Sequence, residues 1–94
     1  MPSAHKSDAL YETVLQLKDL EECKLFFSDL CTVGELRAME QRFDVALLLD
    51  DGMIYNDILE RTGASSATIS RVNRALNYGS GGYKSLFGRI RKKK

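Results

Sequence analysis

Between positions 66 and 74 the chain carries Ser66, Ala67, Thr68, Ser70, Arg71 and Arg74. The first four are small or bear a hydroxyl, and the last two are guanidinium cations. A hydroxyl both donates and accepts, a methyl packs on an apolar edge, and a guanidinium is a planar fork matching two acceptors or a phosphate. These groups break no bonds; they recognise polar edges and polyanions. From Arg61 to Lys94 there is no Asp or Glu. A duplex carries about one negative charge per 1.7 Å, so a carboxylate there would be repelled and its absence fits a nucleic-acid face.

Other chemistry has no residues to support it. His5 is the only histidine, and Cys23 and Cys31 lack the C-x-x-C spacing of a zinc or redox site. Two isolated thiols read as small apolar residues of a reduced protein. The paired acids Glu21/Glu22 and Asp50/Asp51 fall at expected helix ends, where capping and solvation account for them. No nucleophile–base pair, phosphate-cradling loop or metal cluster can be read. The expectation is a binding protein, not an enzyme, with no metal and no cofactor.

The formal net charge of +1 hides a split. Residues 1–52 hold five basic and eleven acidic residues, a net of −6, whereas residues 53–94 hold nine basic residues against Asp57 and Glu60, a net of +7. A polyanion senses a local patch within about 8–10 Å in ordinary salt, so the basic half counts for more than the sum. The bland alternative is two halves that neutralise each other across the fold. The longest apolar run, residues 45–49, is far short of the ~20 residues needed to span a bilayer. With no signal-peptide pattern visible at the start, a cytoplasmic protein without membrane contact is expected.

The elements that position these groups are helices. Proline occurs only at Pro2, glycine is concentrated late, and helix formers dominate between breakers. A first helix is expected from a Ser7 cap to about residue 20, with Leu10, Val14, Leu17 and Leu20 on one side. A second begins at Glu21 and Glu22, and its Leu25, Phe26, Phe27 and Leu30 are too apolar to stay wet. Thr32-Val33-Gly34-Glu35 spells a capping box that opens the longest helix, ending at Asp50-Asp51-Gly52. Leu36, Met39, Phe43, Ala46 and Leu47 line one face of that helix, and Val45, Leu48 and Leu49 widen the stripe. So much apolar girth requires deep burial, in the chain's own core or between two chains.

Residues 54–77 then read as helix, tight turn, helix. Gly63 stands where the chain must reverse. Ile58 and Leu59, Ala64 in the turn, and Ile69, Val72 and Leu76 form the inner apolar faces, and Ser65 or Ser66 caps the second helix. Many such motifs have alanine where this chain has Leu59, so the crossing differs slightly or Leu59 points elsewhere. Small side chains at the start of the second helix let it approach base edges in a major groove, with its positive dipole end toward phosphate. In the last segment Leu86, Phe87 and Ile90 form one apolar stripe on a closing helix. The basic end around it is either a phosphate-binding arm or a solvated terminus.

The run Leu30-Cys31-Thr32-Val33-Gly34-Glu35-Leu36-Arg37-Ala38, Arg42, the long helix ending at Gly52, and Gly63-Ala64-x-x-Ala67-Thr68-Ile69-x-Arg71 together resemble the Trp repressor family. The resemblance is closest to its YerC/YecD-type, Trp-repressor-like branch and covers about residues 25–90. It implies an all-α, six-helix protomer with a helix-turn-helix, in an intertwined homodimer. In that arrangement residues 1–94 are a single domain: dimerisation helices over 1–52, the helix-turn-helix over 53–77, and a C-terminal helix with a basic tail over 78–94. Two-fold symmetry then sets two reading heads on successive major-groove faces ~34 Å apart, over a roughly palindromic site. Ser66, Ala67, Thr68, Ser70 and Arg71 would face bases, with water bridging at Ser66, Thr68 and Ser70, while Arg74 and Lys84 would hold phosphate.

The resemblance also implies an effector pocket in which an indole lies between two arginines. Their counterparts are Arg42 and Arg71, with Thr32 as a further pocket residue. Where the family's namesake has a glycine this chain has Val72, and where it has a ligand-binding serine this chain has Ala75. The slot is filled and a polar partner is lost, so L-tryptophan is not expected to bind in that way; any other small effector is left unidentified. The plain alternatives are an ion pair of Arg42 with an acid such as Glu35, and a phosphate contact for Arg71. The expected function is a double-stranded DNA-binding transcriptional regulator, a repressor; the competing reading is a helical adaptor for a protein partner or structured RNA.

Overall fold

A computed structural model describes residues 7–92, so His5, Lys93 and Lys94 lie outside the described residues. Six helices and no strand occur among them: α1 Ala9–Val14, α2 Leu20–Leu30, α3 Val33–Asp50, α4 Tyr55–Thr62, α5 Ser66–Tyr78 and α6 Gly82–Lys92. The chain divides into two compact units, one ending at Leu36 and one beginning at Arg37.

In the first unit the opening helix is shorter than its apolar spacing predicts. Ser7 Oγ does accept from the Ala9 amide at 3.1 Å, but α1 ends at Val14 in tight turns, with Gln16 N donating to the Thr13 carbonyl and Leu17 N to that of Val14. The cause lies just downstream. Asp19 accepts from the Glu22 amide at 2.8 Å, and Glu22 Oε1 accepts from the Lys18 amide at 2.9 Å. Asp19 thereby caps a first-turn amide of a new helix while Glu22 fastens the residue before the cap, so α2 starts afresh at Leu20. Phe26 and Phe27 are half-buried with rings edge to face, 5.3 Å between centroids, yet Leu20, Leu25 and Leu30 are exposed. No described residue of this unit is buried.

Helix α3 begins as its sequence requires. Thr32 Oγ1 accepts from the Glu35 amide at 3.1 Å, and Glu35 Oε1 accepts from the Thr32 amide at 2.8 Å. It ends in a Schellman closure. Gly52 adopts φ 91°, its amide donates to the Leu49 carbonyl, and the Met53 amide reaches back to that of Leu48.

The core of the second unit consists of Val45, Ala46, Ile58, Ala64, Ile69, Val72, Leu76 and Phe87, with Leu47, Leu48, Leu49, Met53, Leu59 and Tyr83 packed around it. No polar side chain is buried among the described residues. The apolar girth of α3 is therefore only partly used within one chain, because Met39 and Phe43 remain 39% and 40% exposed. The expected stripe on α6 is also narrower. Phe87 is buried against Phe43, at 5.6 Å between centroids, whereas Leu86 and Ile90 are exposed. One helix of 11 residues can turn only part of its girth to a core this small.

Candidate nucleic-acid interface

The candidate surface is built by α4, a left-handed glycine and α5. Gly63 closes α4 at φ 72°, ψ 6°, and its amide donates to the Leu59 carbonyl. An L side chain is strained in that region, so a glycine here lets the chain turn within three residues. Thr62 supports the turn from both sides: its Oγ1 donates to the Ile58 carbonyl at 2.8 Å and accepts from the Ala64 amide at 3.1 Å. From α3, Gln41 Nε2 donates to the Thr62 carbonyl at 3.2 Å and ties the turn to the longest helix. Neither Gln41 nor Thr62 stood out in the sequence. A threonine directly before a helix-ending glycine was the one local cue; the glutamine partner is 21 residues away.

Ser65, not Ser66, caps α5. Its Oγ accepts from the Thr68 amide at 3.1 Å and donates to Thr68 Oγ1 at 3.1 Å. Ser66 is thereby released as an ordinary first-turn residue. Along α5, Ile69, Val72 and Leu76 are buried at a spacing of three and four, while Ser66, Ala67, Ser70, Arg71 and Arg74 are exposed. Ile58, Ala64 and a half-buried Leu59 complete the inner face. Leu59 packs at the edge of the core, and so the two helices accommodate it without alanine.

The outer face is chemically uncommitted. The side chains of Ser66, Ser70, Arg71 and Arg74 make no hydrogen bond or ion pair with any described residue. Thr68 differs: it is half-buried, and its hydroxyl oxygen already accepts from Ser65. Lys84, on α6, does have a partner, with Nζ 3.8 Å from Asp50 Oδ1. Arg91 is held more firmly, its Nη1 lying 3.1 Å from Asp50 Oδ2 and 3.0 Å from Asp51 Oδ1. Sequence reasoning treated Asp50 and Asp51 only as the end of a helix.

Among the residues matched to an effector pocket, Arg42, Arg71 and Ala75 are exposed in the second unit, and neither arginine has an ion pair among the described residues. Glu35, in the first unit, uses its carboxylate to cap Thr32. Val72 is 2% exposed and belongs to the core. Thr32 lies in the first unit, with its hydroxyl engaged by the amide of Glu35.

Comparison with known proteins agrees with this architecture. The sequence profile described as Trp repressor protein matches residues 5–91. YerC of Bacillus subtilis, an uncharacterized protein, is 50% identical over 84 residues, which cover 89% of this chain and 81% of YerC. The crystal structure of a TrpR-like protein from Eubacterium eligens superposes with a TM-score of 0.86 at 51% identity, over 90% of this chain and 91% of that one. A Trp repressor candidate from Staphylococcus aureus also gives 0.86, at 43% identity over 89% of this chain and 84% of its own. A capped long helix, a glycine-bent helix pair and a match running nearly end to end place this chain in the Trp repressor family, among regulators rather than enzymes.

Proposed function

We propose that this protein is a transcriptional repressor that reads double-stranded DNA in the major groove as a homodimer. The observation that carries the reading is the outer face of α5. Ser66, Ala67 and Ser70 on its first turns and the two guanidiniums of Arg71 and Arg74 are exposed, have no side-chain hydrogen bond or ion pair within the described chain, and are backed by a buried apolar face that fixes the helix in place. Ser66, Ala67, Thr68, Ser70 and Arg71 face bases and Arg74 meets phosphate, while Lys84 stays with Asp50 in the native chain rather than adding a phosphate contact. The homodimer is supported by the first unit. Its Leu20, Leu25 and Leu30 are 69%, 59% and 49% exposed, and a second copy would dry them together with Met39, Phe43, Leu86 and Ile90. The working compartment is the cytoplasm, where the DNA is. No helix of the described residues is long and apolar enough to cross a membrane.

Selection of bound duplexes from a random pool tests this. Two related half-sites one helical turn apart, ~34 Å, are expected. Recovery of no preferred sequence refutes sequence-specific reading, and a single unpaired half-site refutes the homodimer. Arg71→Ala is expected to lose affinity and discrimination together, about 1–3 kcal/mol if it pairs with a guanine. Equal losses on selected and random duplex would make Arg71 a phosphate contact instead.

A further inference from the structure

The cations of the second unit are of two kinds. Arg71 and Arg74 on α5 have no carboxylate partner, whereas Lys84 and Arg91 on α6 are both engaged by the pair Asp50–Asp51 at the end of α3. Two adjacent carboxylates at a helix C-terminus face the negative end of its dipole and each other, an arrangement that needs cations nearby. Arg91 bridges both, with its guanidinium carbon 5.6 Å from the ring centroid of Phe87, which is buried. Lys84 sits at 3.8 Å from Asp50 alone. The Lys84 and Arg91 side chains are still 56% and 39% exposed, so a phosphate has access to both.

We propose that Asp50 and Asp51 act as an intramolecular substitute for DNA phosphate, holding Lys84 and Arg91 back from the duplex. Two oxygen-rich anions side by side offer these cations what adjacent phosphates would offer. Sequence-independent affinity arises almost wholly from cation–phosphate contacts, whereas discrimination comes from base edges. Withholding two cations on α6 therefore weakens binding to random and selected duplex alike and leaves the α5 surface untouched, so the chain leaves DNA more readily with its discrimination intact. Asp50 and Asp51 thus set the overall affinity for duplex and its salt dependence without touching a base. The proposal rests on the DNA-reading function above.

The test is fluorescence anisotropy of a random-sequence duplex against the full chain, from about 50 to 300 mM KCl, comparing the slope of log affinity on log salt. Asp50→Asn/Asp51→Asn is expected to bind random duplex more tightly and to steepen the slope by up to about 1.8, roughly 0.9 per cation released. Lys84→Gln/Arg91→Gln in the native chain is expected to leave the slope within about 0.3 of the original, because those cations are already withheld. Glu21→Gln/Asp29→Asn, which removes the same charge from exposed positions of α2, is expected to leave it unchanged. Should Asp50→Asn/Asp51→Asn fail to fold by circular dichroism, Asp50→Asn alone frees Lys84 and should steepen the slope by about 0.9. An unchanged slope in the aspartate variants overturns the proposal. So does an equal effect of the α2 control, or a drop near 1.8 in the Lys84/Arg91 variant. If the native chain ignores duplex even at the lowest salt, the DNA-reading function itself fails.

Discussion

Replacing Gly63 isolates the backbone contribution to the α4–α5 helix pair. Gly63 holds φ 72°, and a Cβ built on it meets nothing within 4 Å. Steric clash with neighbours is therefore absent, and the cost of Gly63→Ala is conformational alone. Holding an L residue in the left-handed region costs roughly 1–2 kcal/mol, while the stiffer unfolded chain offsets about 0.4–1 kcal/mol. The net destabilisation should be about 1 kcal/mol, or some 4–8 °C in Tm for a domain of this size. Gly63→Asn should cost less, because asparagine tolerates the left-handed region, and Gly63→Val more, because a β-branched residue does not. Thermal unfolding by circular dichroism at one fixed protomer concentration gives the ranking, the fixed concentration being needed wherever assembly contributes to stability. A neutral Gly63→Val, or an alanine variant no worse than the asparagine one, would refute the left-handed turn and the helix crossing built on it.

Three further outcomes follow from the same geometry. Ser65→Ala should lower stability by about 1 kcal/mol in urea unfolding, since it removes the acceptor for the Thr68 amide; a neutral result would contradict the cap. Ile69→Ala, at a side chain with no exposure, should cost about 2–5 kcal/mol and abolish duplex binding in an anisotropy titration, whereas Ile69→Val should cost about 0.5–1.5 kcal/mol and retain it; loss of binding in both would show that Ile69 does more than fill space. L-tryptophan should give no saturable heat in calorimetry at micromolar concentrations, because Val72 fills the core side of α5; a micromolar Kd would show that the slot opens.

The features legible in the sequence are those whose partners lie within a few residues. Thr32 and Glu35 are one turn apart, and their reciprocal bonds form as the spacing implies. The burial of Ile58, Ala64, Ile69, Val72 and Leu76 follows from helical periodicity, and Gly63 from the need for a left-handed turn. The early end of α1 was also local, in the Asp19–Glu22 pair, but an apolar periodicity running through it masked the break. What the sequence could not show is non-local. Nothing near Arg91 indicates that its charge is answered by Asp50 and Asp51, and nothing near Gln41 points to Thr62. The apolar girth of α3 points to burial in its own core or between two chains without choosing between them, and on α6 only Phe87 of the expected stripe is buried, because periodicity reveals which side is greasy and not what covers it.

The separation of duties on α5 bears on how such a protein diversifies. Its inner residues make the core and its outer ones, Ser66, Ala67, Ser70, Arg71 and Arg74, have no bond to the rest of the described chain. Surface exchanges that break no cap, core contact or ion pair usually change stability by less than about 0.5 kcal/mol. The outer face of this helix can therefore be changed one residue at a time while the scaffold stays intact. Duplicate copies could acquire new outer faces by substitutions that selection on folding never sees, and a laboratory could exchange these five positions without repacking anything beneath them.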